Sequence, residues 1–219
     1  MVAMNDEASR IASYANYRGI SRVVHFTRID NLNGIKENGG LLSRRKITQL
    51  WRRSGWDKRS WYGVNDWSRH DGIDYINLSI QRPNIRLFRS MRNRVDSTWV
   101  VLELDPSCLQ IEGALFTVGN AASRYVENSG VGKGYEGLLS LYAHEVVIGR
   151  SGEVRSVRRH GGVPFNCPTC EQAEVLIPDF VPEKFIRDII VENKQDCEKF
   201  ARYFGLSSDN LPTINAADF

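Results

Sequence analysis

One run constrains this chain more than any other: WVVLELD, residues 99–105. It is apolar almost throughout, rich in β-branched residues, and closed by Asp105–Pro106. Such a run reads as a strand covered on both faces, so a sheet has to pass through the middle of the fold. Further strands are expected at SRVVHFT (21–27), DYINLSI (74–80) and EQAEVLI (171–177). Pro178 stops the last of these, because proline cannot donate to a ladder. Its alternation puts Ala173, Val175 and Ile177 on one face and Gln172, Glu174 and Leu176 on the other. A carboxylate beside an amide on such a face belongs either to a solvated edge or to a site.

Helices are expected over 5–20, opened by Asn5 and closed by Gly19, and over NLNGIKENGG (31–40), with Asp30 as cap. Two more read at NAASRYVEN (120–128), opening at Asn120, and QDCEKFARYFG (195–205). VPEKFIRDIIVEN before it reads as a short helix and a strand. Residues 129–137 (SGVGKGYEG) read as a flexible glycine-rich link, and 150–162 (RSGEVRSVRRHGG) as a polar loop. Residues 138–150 fit helix and strand equally. The elements mix without strict alternation, and no repeat or Pro/Gly/Ser-rich linker divides the chain. The expectation is one α+β domain over residues 1–219.

At 42% hydrophobic and 25% charged residues the chain can bury a core. It has no run of 18 apolar residues, so no transmembrane helix is expected, and MVAMNDEASR lacks the apolar stretch of a signal peptide; a cytoplasmic protein is the expectation. Cys167 and Cys170 form a single CxxC with no second pair, and His160 lies nearby. Two reduced thiols in a tight turn fit this better than a metal, so no metal ligand is assigned. No GxGxxG, GxxxxGK[ST], GxSxG or HExxH pattern sits in its required context, which excludes a Rossmann site, a P-loop, an α/β-hydrolase elbow and a zincin helix.

The net charge is only +3, yet Arg44–Arg94 holds thirteen Lys and Arg against four Asp. The same window carries four of the five tryptophans, Trp51, Trp56, Trp61 and Trp67, with Tyr62. Guanidinium groups interleaved with rings suit a single nucleic-acid strand, phosphates meeting arginines and bases stacking on rings. A solvated face with tryptophans anchoring a loop has the same composition.

Five blocks, in order and spacing, carry a resemblance: HFTRIDNLNGIKENGGLLSR (25–44), DGIDYINLSI (71–80), WVVLELDP (99–106), NAAS (120–123) and QAEVLI (172–177). Together they resemble the DarT family, bacterial toxins of the ADP-ribosyltransferase class that transfer ADP-ribose from NAD to a base in single-stranded DNA. The resemblance covers most of the chain. It implies an ADP-ribosyltransferase-like fold, with a split antiparallel sheet and flanking helices. It also implies NAD as co-substrate, single-stranded DNA (alternatively RNA) as acceptor, and a macrodomain antitoxin as partner.

By the same resemblance Glu174 is the catalytic carboxylate. Bound to a ribose hydroxyl, it would stabilise the oxocarbenium-like state in which the nicotinamide bond breaks. Gln172 would meet the acceptor, where an amide suits a base edge; a structural glutamine is its alternative. His25 and Thr27 on the first strand, with Asn77 and Ser79 on the middle one, would hold NAD. Arg69, in SRHDG, fits the family's mobile arginine, and Arg52 and Arg53 compete for that place. Trp51, Trp56, Arg52 and Arg53 would grip the strand. Asn120 is either part of the substrate wall or a helix cap. DYINLSI departs from the YVPFYF-like strand of other members, which leaves the base open between thymidine and guanosine. A nucleic-acid-binding module without catalysis is the rival; it leaves His25, Gln172 and Glu174 without a task.

Overall fold

In the computed structural model, residues 2–54, 74–122, 130–150, 153–206 and 211–219 are described, with the side chains of 2–5, 51–54, 150 and 153 left out. WVVLELD forms β4 (Trp99–Leu104), and it is buried on both faces as its composition requires. Val100, Leu102 and Leu104 belong to the main core, whereas Trp99 and Val101 belong to a second apolar cluster behind the sheet. β4 runs antiparallel between β1 (Val23–Arg28) and β11 (Ile186–Val191).

The remaining strands are β2 (Gly40–Leu42), β3 (Tyr75–Ile80), β5 (Leu115–Thr117), β6 (Val131–Lys133), β7 (Glu145–Arg150), β8 (Glu153–Arg158), β9 (Glu174–Pro178), β10 (Phe180–Pro182) and β12 (Thr213–Ile214). The large sheet has the order β12-β11-β4-β1-β3-β9-β5-β6. It is antiparallel except for β11–β12. β2 and β10 form one small ribbon and β7 and β8 another.

The sheet is split. β1 pairs with β3 only at Val23–Ile80 and Val24–Ser79. Beyond these, β3 turns to β9, pairing from Tyr75–Pro178 to Leu78–Val175. β3 therefore closes one half-sheet with one end and opens the second with the other. The result is the α+β, split antiparallel arrangement that the sequence led us to expect.

Helices α1 (Val2–Arg18), α5 (Gly134–Ser140) and α6 (Lys194–Phe204) cover the main core. They contribute Ile11 and Tyr14, Leu138, and Phe200 to it. α4 (Ile85–Arg92) covers the other face through Phe88, which meets Phe26, Trp99 and Phe219. α2 (Asn31–Glu37) and α3 (Arg44–Ser54) follow β1 and flank the β2 ribbon. α3 is tied down by Arg45–Asp74 at 2.6 Å and Lys46–Asp179 at 3.6 Å.

Several expectations need correction. The first helix starts at Val2, so Asn5 lies inside it; Gly19 ends it in the left-handed region, at φ +65. Asp30 precedes α2 without a side-chain cap bond. The supposed link 129–137 contains β6 and the start of α5, and its glycines serve packing. A Cβ on Gly132 would lie 2.5 Å from the Gly137 Cα, so two glycines let strand and helix touch. The polar segment 150–162 contains β8, paired along its length with β7. Residues 138–150 hold both alternatives in turn, the end of α5 and then β7. The helix expected over 120–128 lies largely outside the described residues.

Candidate active site

The chemistry gathers where β1 parts from β3. His25 is the first residue of β1 past the last β3 pair, so its backbone neighbour across the gap is lost. Its ring replaces the missing bond: Nδ1 lies 2.9 Å from the Asn77 carbonyl oxygen. That oxygen only accepts, so Nδ1 carries the proton. Burial pushes the His25 imidazole below its ordinary value of 6.5, and the Asn77 carbonyl opposes this only in part. The ring is therefore neutral at pH 7, and Nε2 presents a lone pair.

Asn77 also reaches the second half-sheet. Its Nδ2 donates to Glu174 Oε2 at 3.3 Å. The Ala121 backbone N–H donates to the same oxygen at 3.0 Å. Glu174 is 3% exposed, the first residue of β9, and sits opposite Thr117 of β5. A buried carboxylate is costly unless its oxygens meet donors, and a side-chain amide and a turn amide do so here. The edge-of-sheet reading of Glu174 is thereby excluded by its burial.

A cleft lies beside His25, lined also by Thr27, Asn31, Gly40, Leu42 and Ile47. Asn31 Nδ2 donates to Thr27 Oγ1 at 2.9 Å. Asn31 Oδ1 is buried and finds no partner among the described residues. An orphaned acceptor costs about 1–3 kcal/mol unless a ligand supplies a donor. A lone pair on His25, the Thr27 hydroxyl and this oxygen together suit a hydroxyl-rich ligand such as a nucleotide. Among the described residues no group of three or more His, Cys, Asp and Glu is placed to hold a metal.

The structure thus brings together His25, Thr27, Asn77 and Glu174, though Glu174 lies outside the lining of the cleft and is linked to it through Asn77. Ser79 is buried on β3, two residues along from Asn77 and opposite Val24. Asn120 precedes the amide that holds Glu174, and its own Oδ1 accepts from the Ala122 N–H at 2.8 Å, the capping geometry. Gln172 is placed differently from expectation. β9 begins at Glu174, so Gln172 lies in the preceding turn, where its N–H points to Cys170 Sγ at 3.4 Å; strand alternation does not put it on the Glu174 face. Cys167 and Cys170 are free thiols in that turn-rich segment. The helix α3 carries Trp51, Arg52 and Arg53, whose side chains lie outside the description; Trp56 and Arg69 lie outside the described residues altogether.

Two contributors escaped sequence reasoning. The Ala121 amide has no side-chain signature; only NAAS as a turn before a helix hinted at it. Asn31 was read merely as the start of a helix, although it follows the end of β1 closely enough for its side chain to reach Thr27.

A family model described as "ssDNA thymidine ADP-ribosyltransferase, DarT" matches residues 24–217. No curated protein sequence matches the chain. Among solved structures, Thermosipho africanus DarTG in complex with ADP-ribose is similar at 18% identity and TM-score 0.55 over 91% of this chain and 51% of that one. The present chain therefore spans about half the length of that relative. Thermus sp. 2.9 DarT in complex with NAD+ is similar at 16% identity and TM-score 0.47, over 91% of this chain and 98% of that one. The same protein in complex with ADP-ribosylated ssDNA gives 15% identity and TM-score 0.47, over 92% and 97%. At 18% identity the likeness to the Thermosipho structure is one of fold.

Proposed function

This chain belongs to the DarT family of ssDNA thymidine ADP-ribosyltransferases, and from that premise we propose that it transfers ADP-ribose from NAD to thymidine in single-stranded DNA. The observation that carries the reading is Glu174, a buried carboxylate held by Asn77 and Ala121 at the split of the sheet.

The proposed roles rest on the geometry of the described residues and, for Trp51, Arg52, Arg53, Trp56 and Arg69, on the sequence. His25 Nε2, Thr27 and Asn31 Oδ1 bind hydroxyl and amino groups of NAD in the cleft. Glu174 accepts from a ribose hydroxyl, and its negative charge stabilises the positive charge that grows as the C1′–nicotinamide bond breaks. The bonding pair leaves on nicotinamide. Thymine offers one ring N–H, at N3; transfer there forms the C1′–N3 bond and releases that proton to water. Gln172, in the turn leading into β9, would meet the imide edge with its amide. Arg69, or Arg52 or Arg53, would steady the phosphates, and Trp51 and Trp56 would stack on neighbouring bases, about 1–3 kcal/mol each. Asn77 and Asn120 position Glu174 and its turn. All 219 residues serve as one catalytic unit, in the cytoplasm, countered by a macrodomain antitoxin that removes the mark.

The test is intact mass spectrometry of single-stranded oligonucleotides, each varied in one base type, after incubation with protein and NAD. One added ADP-ribose on thymidine-containing strands alone is expected. Addition on guanosine or on RNA instead, or no addition to any strand, overturns the assignment of the acceptor.

A further inference from the structure

Helix α1 lies outside the matched residues 24–217, yet its last turn touches the segment that leads into Glu174. Tyr17 is 68% exposed and Phe165 52% exposed. Their rings meet edge to face at 5.4 Å. The Arg18 guanidinium lies 4.6 Å from the Phe165 ring and 6.0 Å from the Tyr17 ring. Its Nε donates to the Tyr14 hydroxyl at 2.8 Å, which fixes its direction.

The backbone under Phe165 is held just as firmly. Arg159 donates to the carbonyls of Pro164, Phe165 and Cys167, at 2.7, 3.3 and 2.9 Å. The Tyr142 hydroxyl donates to the Asn166 carbonyl at 3.0 Å. Two large rings are thus kept exposed to water on a hydrogen-bonded support. The two guanidinium groups fixed beside them, Arg18 and Arg159, meet ring faces, a hydroxyl and carbonyls, and neither pairs with a carboxylate among the described residues. No Asp or Glu occurs in the sequence from Val154 to Cys170 or from Ala8 to Ile29; acids from elsewhere pair with Arg10, Arg22 and Arg158, which leaves the positive charge at the rings to Arg18 and Arg159.

We infer that Tyr17 and Phe165 form a stacking platform for bases of single-stranded DNA flanking the modified nucleotide, with Arg18 available to the backbone phosphate. The inference rests on the reading of the protein as a DNA-modifying enzyme, but it assigns residues outside the basic, tryptophan-rich stretch of the sequence. Exposed rings flanked by two guanidinium groups that no carboxylate neutralises among the described residues fit a polyanion carrying flat apolar groups. A protein partner would not require that sign of charge. Phe165 stands seven positions before Gln172 in a turn-rich segment, so a strand entering the site can lie across it.

Binding is measured by fluorescence anisotropy without NAD, using labelled strands of about 4 and about 16 nucleotides centred on thymidine, within the range of single-strand site sizes. Tyr17→Ala and Phe165→Ala are each expected to weaken the long strand about tenfold, leaving the short strand and the Tm unchanged. Phe165→Trp should restore the long-strand affinity. Unchanged long-strand affinity in both alanine variants overturns the inference, as does an equal loss for both strands with a lowered Tm, which marks a structural role. Unchanged DNA affinity with altered self-association overturns it in favour of a protein surface. Tight, ring-dependent DNA binding by a protein that transfers nothing supports the platform while overturning the proposed activity, so the two failures are distinguishable.

Discussion

The two edges of β1 do opposite work. Along one edge, six consecutive pairs join Val23–Arg28 to β4. Along the other, pairing with β3 stops after two. The closed edge gives the fold its continuity, with β4 apolar on both sides and near zero exposure at Val100, Val101 and Leu104. The open edge frees backbone and side chains from the ladder, and His25, Asn77 and Glu174 occupy the opening. Stability is concentrated where the ladder is complete, and polar groups for a ligand collect where it parts. Substitutions on the two edges should therefore separate activity from stability.

The largest effect is expected from Glu174→Gln, which keeps shape and removes charge. Transfer should fall about a thousandfold, within the range for losing a transition-state electrostatic partner, while the Tm changes little. Single-turnover kinetics with labelled NAD checks this. The mirror experiment is Leu102→Ala on β4, where the side chain is 1% exposed. Denaturant unfolding should show a loss of about 2–5 kcal/mol, with transfer intact at temperatures where the variant is folded. Gly132→Ala comes next, because the added methyl meets the Gly137 backbone. Its cost should be about 1–3 kcal/mol, and a thermal scan reads it.

The smallest effect concerns pH. The His25 imidazole in the native state lies below its ordinary value of 6.5 through burial. Below that pH the unfolded chain takes up a proton that the native ring refuses, so stability falls as pH drops through 6.5 and is fully present above it. The slope contributed is at most about 1.4 kcal/mol per pH unit. Denaturant midpoints between pH 5 and 8 should lose this component in His25→Asn.

Sequence alone went far on the closed edge and less far on the open one. β4 and the apolar face of β9 were legible because burial dictates residue type there; Ala173, Val175 and Ile177 do share the main core. The β7–β8 ribbon was half missed. Only one of its faces is covered, through Val146 and Ile148, so EVRSVR shows charges and an exposed Val154 instead of a clean alternation. The glycines of β6 and α5 looked like flexibility because close approach and freedom leave the same residue in a sequence. His25 and Glu174 were found by family resemblance; their linkage through Asn77 required the register of β3 against β9. Gln172 was misplaced because alternation was carried two residues past the true start of the strand. The Ala121 amide had no side chain to announce it.

The most direct measurement of the central claim is the ¹⁵N resonance of the His25 ring, followed as NAD is added to the Glu174→Gln protein, which should consume it about a thousandfold more slowly. If the split of the sheet holds NAD, the free protein shows a neutral ring protonated on Nδ1, and NAD shifts the Nε2 resonance while Nδ1 keeps its bond to Asn77. A ring that NAD leaves unmoved at saturating concentration would contradict the placement of NAD in the cleft beside His25.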